Sequence, residues 1–254
     1  AIDDLLLPVL ECDLPIFFEK PVALSSAKLE MALRIVGKKS NYIQVGYNRR
    51  FYSHIPTVRN YLKSHQPRSV LLEIPEVEPP ETDPLSKYIL YQNSCHAIDL
   101  LYHLVGEFEI EHLVVQNSYG SSTLNTFNGM FLSIDSIPIN FISNWNVPSN
   151  TNITFYCEDS VLKLSPLEIA SIYSGLEVIE PTVAIPLRKY NPVISEQFLG
   201  VTKSDRYKPG FLEQAKCFID NVVGIEANKE FVPASLRDSL FVVKLVESIY
   251  KYKK

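Results

Sequence analysis

Ile16-Phe17-Phe18-Glu19-Lys20-Pro21 is the stretch on which the reading of this chain turns. A short apolar run, Pro15 to Glu19, has the length of a buried strand, and the charged pair and the proline stop it. Upstream, Ile2 to Leu10 reads as the end of a helix. Downstream, Ser25 or Ser26 caps a helix that puts Leu29, Ala32, Leu33 and Val36 on one face and stops at Gly37. Tyr42 to Val45 forms the next strand, ended by Gly46. Strand, helix and strand at this spacing predict a βαβ unit with parallel strands. Two strands make a poor sheet, however, because their outer edge is apolar and unpaired.

Beyond Asn48 the pattern changes. His54 to Ser64 reads as a helix with Ile55, Val58 and Leu62 facing inward, and Val70 to Ile74 as a strand. Glu76 to Pro84 is a loop rich in proline and glutamate, and Asn93 to Val105 an apolar helix stopped by Gly106. Strand-like runs then dominate: His112 to Gln116, Thr126 to Ile134, Ile139 to Trp145, Asn152 to Cys157, Val161 to Leu164 and Leu176 to Ile179. Consecutive strands without helices between them predict an antiparallel sheet. Two helices close the chain, one carrying Phe211, Ala215, Phe218 and Val222, the other opening with the capping-box-like Ser235-Leu236-Arg237-Asp238. The fold class is therefore α/β: a partial parallel βαβ unit over residues 1–50, then an α+β domain over 51–254 with a large, mainly antiparallel sheet. The last helices are free to pack back onto the first unit.

The bulk numbers exclude several classes. With 254 residues, 46% hydrophobic and 21% charged, the chain is long enough for a substantial core. A net charge of −5 advertises no surface for nucleic acid or anionic membrane. Lys251, Lys253 and Lys254 suit the C-terminal end of a helix. Nothing approaches a bilayer-spanning run, and no signal peptide is visible. Four cysteines without paired spacing fit reduced thiols, so we expect a cytoplasmic protein without disulfides. His54, His65, His103 and His112 show no ligand spacing, and no metal site is expected.

Four segments in order resemble the Gfo/Idh/MocA oxidoreductases, the family of glucose-fructose oxidoreductase and inositol dehydrogenase. They are Ile16 to Ala23 with its Glu-Lys-Pro turn, Val45-Gly46-Tyr47-Asn48-Arg49-Arg50-Phe51, Cys95-His96-Ala97-Ile98-Asp99 followed by Leu104-Val105-Gly106, and the tail from Phe211 to Tyr250. The resemblance implies a Rossmann dinucleotide domain, NAD or NADP as cofactor, and hydride transfer at a carbinol carbon of a sugar, sugar derivative or nucleotide sugar. It places Lys20 between nicotinamide and substrate, and makes His96 the general base. Glu19, Lys20, Pro21, Asn48 and Arg49 fall on the cofactor side, and Lys20, Gln92, His96 and Asp99 on the substrate side. The residue types agree: histidine titrates near neutrality, and burial lowers a lysine. On a helix Gln92, His96 and Asp99 share one face, where Asp99 either orients His96 or pairs locally. Arg49 and Arg50 contact a phosphate or the cofactor, or else form surface salt bridges.

Two departures stand out. Many relatives carry aspartate where this chain has Gln92, which can hydrogen-bond a hydroxyl but cannot hold a proton. None of the nine glycines forms Gly-x-Gly-x-x-Gly, the loop that lets a helix N-terminus approach a pyrophosphate. We therefore expect the sequence to begin partway through its dinucleotide domain. Two alternatives stand beside the dehydrogenase: an NAD-dependent glycosidase on the same fold, and a non-catalytic oligomerisation or regulatory module. The strand runs Phe131 to Ile134 and Ile139 to Ile142 offer apolar groups to both faces, which predicts a homodimer or homotetramer joined through the open sheet face.

Overall fold

The structure is a computed structural model, and it describes residues 2–37, 41–78, 86–117, 124–200, 207–225 and 229–252. The far part of the loop from Glu76 to Pro84, together with Gly120, Lys253 and Lys254, lies outside the described residues. The opening unit is α1 (Ile2–Glu11), β1 (Ile16–Phe18), α2 (Ser26–Val36) and β2 (Ile43–Val45). Ile16 to Phe18 pair in parallel with Ile43 to Val45, which is the predicted βαβ unit. Serine capping at α2 works differently from the expectation. Ser25 makes no side-chain cap, and instead the N–H and Oγ of Ser26 both donate to the Glu247 carboxylate at 2.8 Å. A residue of the last helix thus satisfies the first turn of α2.

A 3-10 turn (Asn48–Phe51) leads into α3 (Ile55–Ser64) and β3 (Ser69–Glu73), and a second one (Ser86–Tyr91) into α4 (Ser94–Val105). There follow β4 (Phe108–Asn117), β5 (Leu124–Ser133), β6 (Pro138–Asn144), β7 (Asn152–Tyr156), β8 (Ser160–Leu164), β9 (Ile169–Ile179) and β10 (Lys189–Leu199). Helices α5 (Phe211–Val223) and α6 (Leu236–Lys251) complete the chain. The eight strands form one sheet in the order β10-β9-β8-β7-β3-β6-β5-β4, antiparallel except where β3 runs parallel to β6. Phe127, Phe131, Phe141 and Phe155 point from alternate positions to one side, all fully buried with Ile98, Leu100 and Leu101 of α4. Phe241 and Tyr250 of α6 reach Phe108 and Phe127 at ring-centroid distances of 5.1 and 5.9 Å.

The start of α6 behaves as its sequence predicts. Ser235 Oγ accepts from the N–H groups of Arg237 and Asp238, while Asp238 Oδ2 accepts from Ser235 N–H at 2.6 Å. Two expectations are corrected. β10 was not foreseen, because Pro181, Pro186 and Pro192 give its stretch the signature of a loop; the pairing with β9 makes it a strand. Ile134 leaves β5 and lies 74% exposed in the turn. Phe218 of α5 packs on the small sheet, its ring meeting Phe17 at 5.5 Å and Tyr42 at 5.7 Å.

One close approach in the large sheet depends on glycine. A Cβ added at Gly129 would lie 2.1 Å from the His112 carbonyl oxygen and 2.8 Å from Leu113 Cα, beside the bulge between Ile110 and His112. The obstacle is backbone on both counts, so it cannot swing aside. Gly129→Ala should therefore destabilise the fold by about 1–3 kcal/mol, toward the upper end, as measured by urea denaturation. An unchanged midpoint would contradict this packing of β4 on β5.

Candidate active site

The carboxyl ends of β1 and β2 lie side by side, the usual position for a ligand on a parallel sheet. Gly46 N–H donates to the Phe18 carbonyl at 2.7 Å, and a Cβ on Gly46 would stand 3.0 Å from Glu19 Oε2. The turns holding Glu19-Lys20-Pro21 and Tyr47-Asn48-Arg49 are thereby pressed together. Lys20 Nζ donates to the Gln92 backbone carbonyl at 2.5 Å, which ties the first strand to the approach of α4. In the first turn of that helix, His96 packs edge-on against the buried Tyr47 ring at a centroid distance of 5.8 Å. Lys20 and His96 thus stand near one another beside the α4 start, close enough for the lysine charge to act on the imidazole. His96 is only 9% exposed and its Nδ1 is buried without a hydrogen-bond partner. Burial, and then the positive charges of Lys20 and Arg49, hold its imidazole well below the usual histidine range. The ring is therefore neutral at physiological pH.

Glu76, which the sequence reading left in a loop, also joins this cluster. It follows β3, and its Oε1 accepts from Ser94 Oγ at 2.5 Å. Burial raises its carboxyl above the usual range, while Ser94, Arg49 and Lys20 pull it back. The rule that ligands sit beyond strand carboxyl ends, applied to β3 as well as β1 and β2, would have drawn attention to it. Cys95 is fully buried there too, its Sγ donating to the Gln92 carbonyl at 3.0 Å, and burial pushes the thiol up to about 12. Arg49 is half-buried, with Nη1 lacking a hydrogen-bond partner.

Other expected members of the site do different work. Gln92 precedes α4 instead of sharing its face, and it contributes its main-chain oxygen to Lys20. Asn48 is buried, and its Nδ2 donates to the Pro209 carbonyl at 3.0 Å. It tethers the start of α5, where a Cβ on Gly210 (φ 80°) would fall 2.1 Å from the Asn48 oxygen. Asp99 does not orient His96, and it is closed to a ligand. Its carboxylate is fully buried and accepts from Arg50 Nε at 2.8 Å and Arg50 Nη2 at 2.6 Å. Arg50, only 2% exposed, also donates to Asp238 Oδ1 at 3.1 Å. Instead of a surface salt bridge or a phosphate contact, it is the centre of a buried Asp99–Arg50–Asp238 triad. Burial opposes the guanidinium charge, yet the two carboxylates raise its pKa above the ordinary value. Burial pushes Asp99 up to about 6 against the pull of Arg50.

No family model matches the sequence, and no curated protein matches it. Solved structures do. Gal80p from Saccharomyces cerevisiae, as its super-repressor mutant, superposes with a TM-score of 0.70 at 15% identity, over 98% of this chain and 74% of that one. An aldose-aldose oxidoreductase from Caulobacter crescentus gives 0.70 at 16%, over 98% and 73%. The UDP-N-acetylglucosamine 3-dehydrogenase GnnA from Acidithiobacillus ferrooxidans gives 0.69 at 11%, again over 98% and 73%. At such identities the likeness speaks to architecture: this chain has the fold shared by Gfo/Idh/MocA-like oxidoreductases and Gal80p.

Proposed function

We propose that this chain carries the substrate-handling machinery of an NAD(P)-dependent oxidoreductase acting on a hydroxyl-bearing carbon of a sugar, sugar derivative or nucleotide sugar. The observation that supports this best is the nearness of Lys20 to His96, with the imidazole neutral and one ring nitrogen unpartnered. Lys20, presented at the end of β1, donates to the reacting oxygen once it turns from the Gln92 carbonyl. His96 accepts the hydroxyl proton during oxidation and returns it during reduction. A bound nicotinamide supplies or accepts the hydride. The unpartnered nitrogens of His96 and Arg49 fit the ring end of such a cofactor. The sequence contains no Gly-x-Gly-x-x-Gly cradle for its phosphates.

This reading makes two expected results. Residues 1–254 should bind NAD or NADP weakly or not at all by calorimetry; tight binding would place the phosphate site within these residues. In the natural full-length protein, His96→Ala and Lys20→Ala should each lower kcat by about 10²- to 10⁴-fold on an accepted sugar substrate. KM should move far less. Variants retaining full kcat would exclude these roles.

A second reading has an observation of its own. Gal80p from Kluyveromyces lactis, described as a transcriptional regulator, superposes with a TM-score of 0.73 at 12% identity over 99% of this chain and 72% of that one. A regulator on this fold needs no proton acceptor, and here Lys20 already has a partner while Gln92 replaces an acid. Absence of turnover with NAD and NADP across sugars and nucleotide sugars, in a full-length protein that binds dinucleotide, would favour it.

A further inference from the structure

We infer that the cavity between α5 and the side chains of Ile225 and Phe231 is a binding site for a small organic amine. The ammonium group meets the Glu213 carboxylate, and the carbon body lies against Leu212, Ile225 and Phe231. None of these residues belongs to the candidate active site. The cavity measures about 640 Å³, within the roughly 300–1,000 Å³ usual for small-ligand pockets. Its shape follows from how α5 is held. Gln44 Nε2 donates to the Gln214 carbonyl at 3.1 Å and the Phe218 ring meets Phe17, so one face of the helix is fixed against the small sheet. Glu213, Lys216, Cys217 and Asp220, at helical spacing, share the neighbouring face and line the cavity.

The apolar wall is anchored as well. Gly224 (φ 72°) ends α5, and Ile225 N–H donates to the Asp220 carbonyl at 2.9 Å, which keeps Ile225 at the helix end. The Phe231 ring stacks on the fully buried Phe51 at 5.5 Å. Shortly after it, Val45 N–H donates to the Ala234 carbonyl at 2.9 Å, tying this stretch to β2. These anchors are main-chain bonds and a buried ring contact, so the wall stands before any ligand arrives.

The lining selects an amine. Glu213 Oε2 is buried and has no hydrogen-bond donor. A charged donor relieves that best, because a hydrogen bond between ions is about twice as strong as a neutral one. Glu213 and Asp220 stand against a single cation, Lys216, which is exposed and forms no ion pair with either among the described residues. Cys217 adds no charge, because burial and the nearby Asp220 raise its thiol above the ordinary range. A metal ion does not suit the site, since no group of three ligating side chains among the described residues is placed to hold one. The apolar part of the lining, with Leu212 41% and Ile225 62% exposed beside the Phe231 ring, suits a carbon skeleton.

Titration of residues 1–254 with phenethylamine or hexylamine should shift the Ile225 methyl resonance, identified by its loss in Ile225→Val. The dissociation constant should be on the order of 1 mM. Phenethyl alcohol has the same shape without the charge and should bind at least about tenfold more weakly; phenylacetate should bind more weakly still. Glu213→Gln keeps the volume and should bring phenethylamine down to the level of the alcohol, whereas Lys216→Gln should not weaken it. The comparison of amine with alcohol on the parent chain decides the matter even where Glu213→Gln fails to fold. Equal affinity for amine and alcohol overturns the proposal, and so does tighter binding of phenylacetate. An Ile225 resonance that neither amine moves at about 20 mM overturns it too, as does a folded Glu213→Gln chain that binds phenethylamine in full.

Discussion

Arg50→Met should be the most destabilising single substitution in this chain, costing about 3–5 kcal/mol in urea denaturation, a large fraction of a typical domain's stability. The side chain is 2% exposed and joins three elements: the turn after β2, helix α4 through Asp99 and helix α6 through Asp238. Methionine fills much of the volume but leaves Asp99 fully buried without a countercharge. The carboxyl must then take up a proton or draw in water, and either distorts the packing beneath His96. The double variant Arg50→Met, Asp99→Leu should recover most of the loss, because exchanging a buried ion pair for apolar groups is often neutral or stabilising. Asp238 retains the Ser235 N–H and Oγ as partners in that variant. A single variant as stable as the parent would show that the triad contributes little; a double variant as poor as the single would show that volume, not charge, is what Arg50 supplies.

Stability should fall steeply as pH drops from about 6.5 toward 4. Burial holds three imidazoles below their ordinary range: His96 well below, His54 at about 4 and His103 at about 3. In the unfolded chain each titrates near the reference value of about 6.5. A group whose folded pKa is depressed contributes stability that is complete above the unfolded pKa and is lost as pH falls below it. Asp99 acts in the opposite sense, since its folded pKa of about 6 lies above the unfolded value. Its contribution is complete at low pH and is lost as pH rises through about 6. Three protons gained on unfolding, against those released by Asp99 and by Glu76, whose carboxyl is also raised by burial, leave a net of about one to two, or about 1.4–2.7 kcal/mol per pH unit at the steepest. Urea midpoints at pH 7, 6 and 5 would check this. A flat profile would mean that these rings are hydrated or paired in solution.

Much of this architecture was legible in the residues themselves. Leu29 and Ala32 at helical spacing, the breaks at Gly37 and Gly106, and Ser235 followed three residues later by Asp238 are local signals, and each corresponds to an element in the structure. The short apolar run before Glu19 fixed the first strand, and so placed Lys20 at its carboxyl end. Charge partnership was not legible, because it is settled between elements distant in sequence. Asp99 reads equally as a companion of His96 or as a local pair, and only the crossing of α4 over the Asn48–Phe51 turn delivers it to Arg50, 49 positions away. Asp238 reads as a helix cap, and it caps and also pairs, because α6 begins beside that turn. Glu76 reads as loop until β3 is seated in the middle of the sheet, which points the segment after it toward Ser94. The prolines around β10 read as loop because propensity counts single residues, whereas a strand exists through its partner, here β9. Periodicity, caps and breakers act within a few residues and stand in the sequence alone. Burial, ion pairing and strand partnership depend on what the fold brings from far along the chain, and these decided which of the charged residues stand at the candidate site and which hold the core.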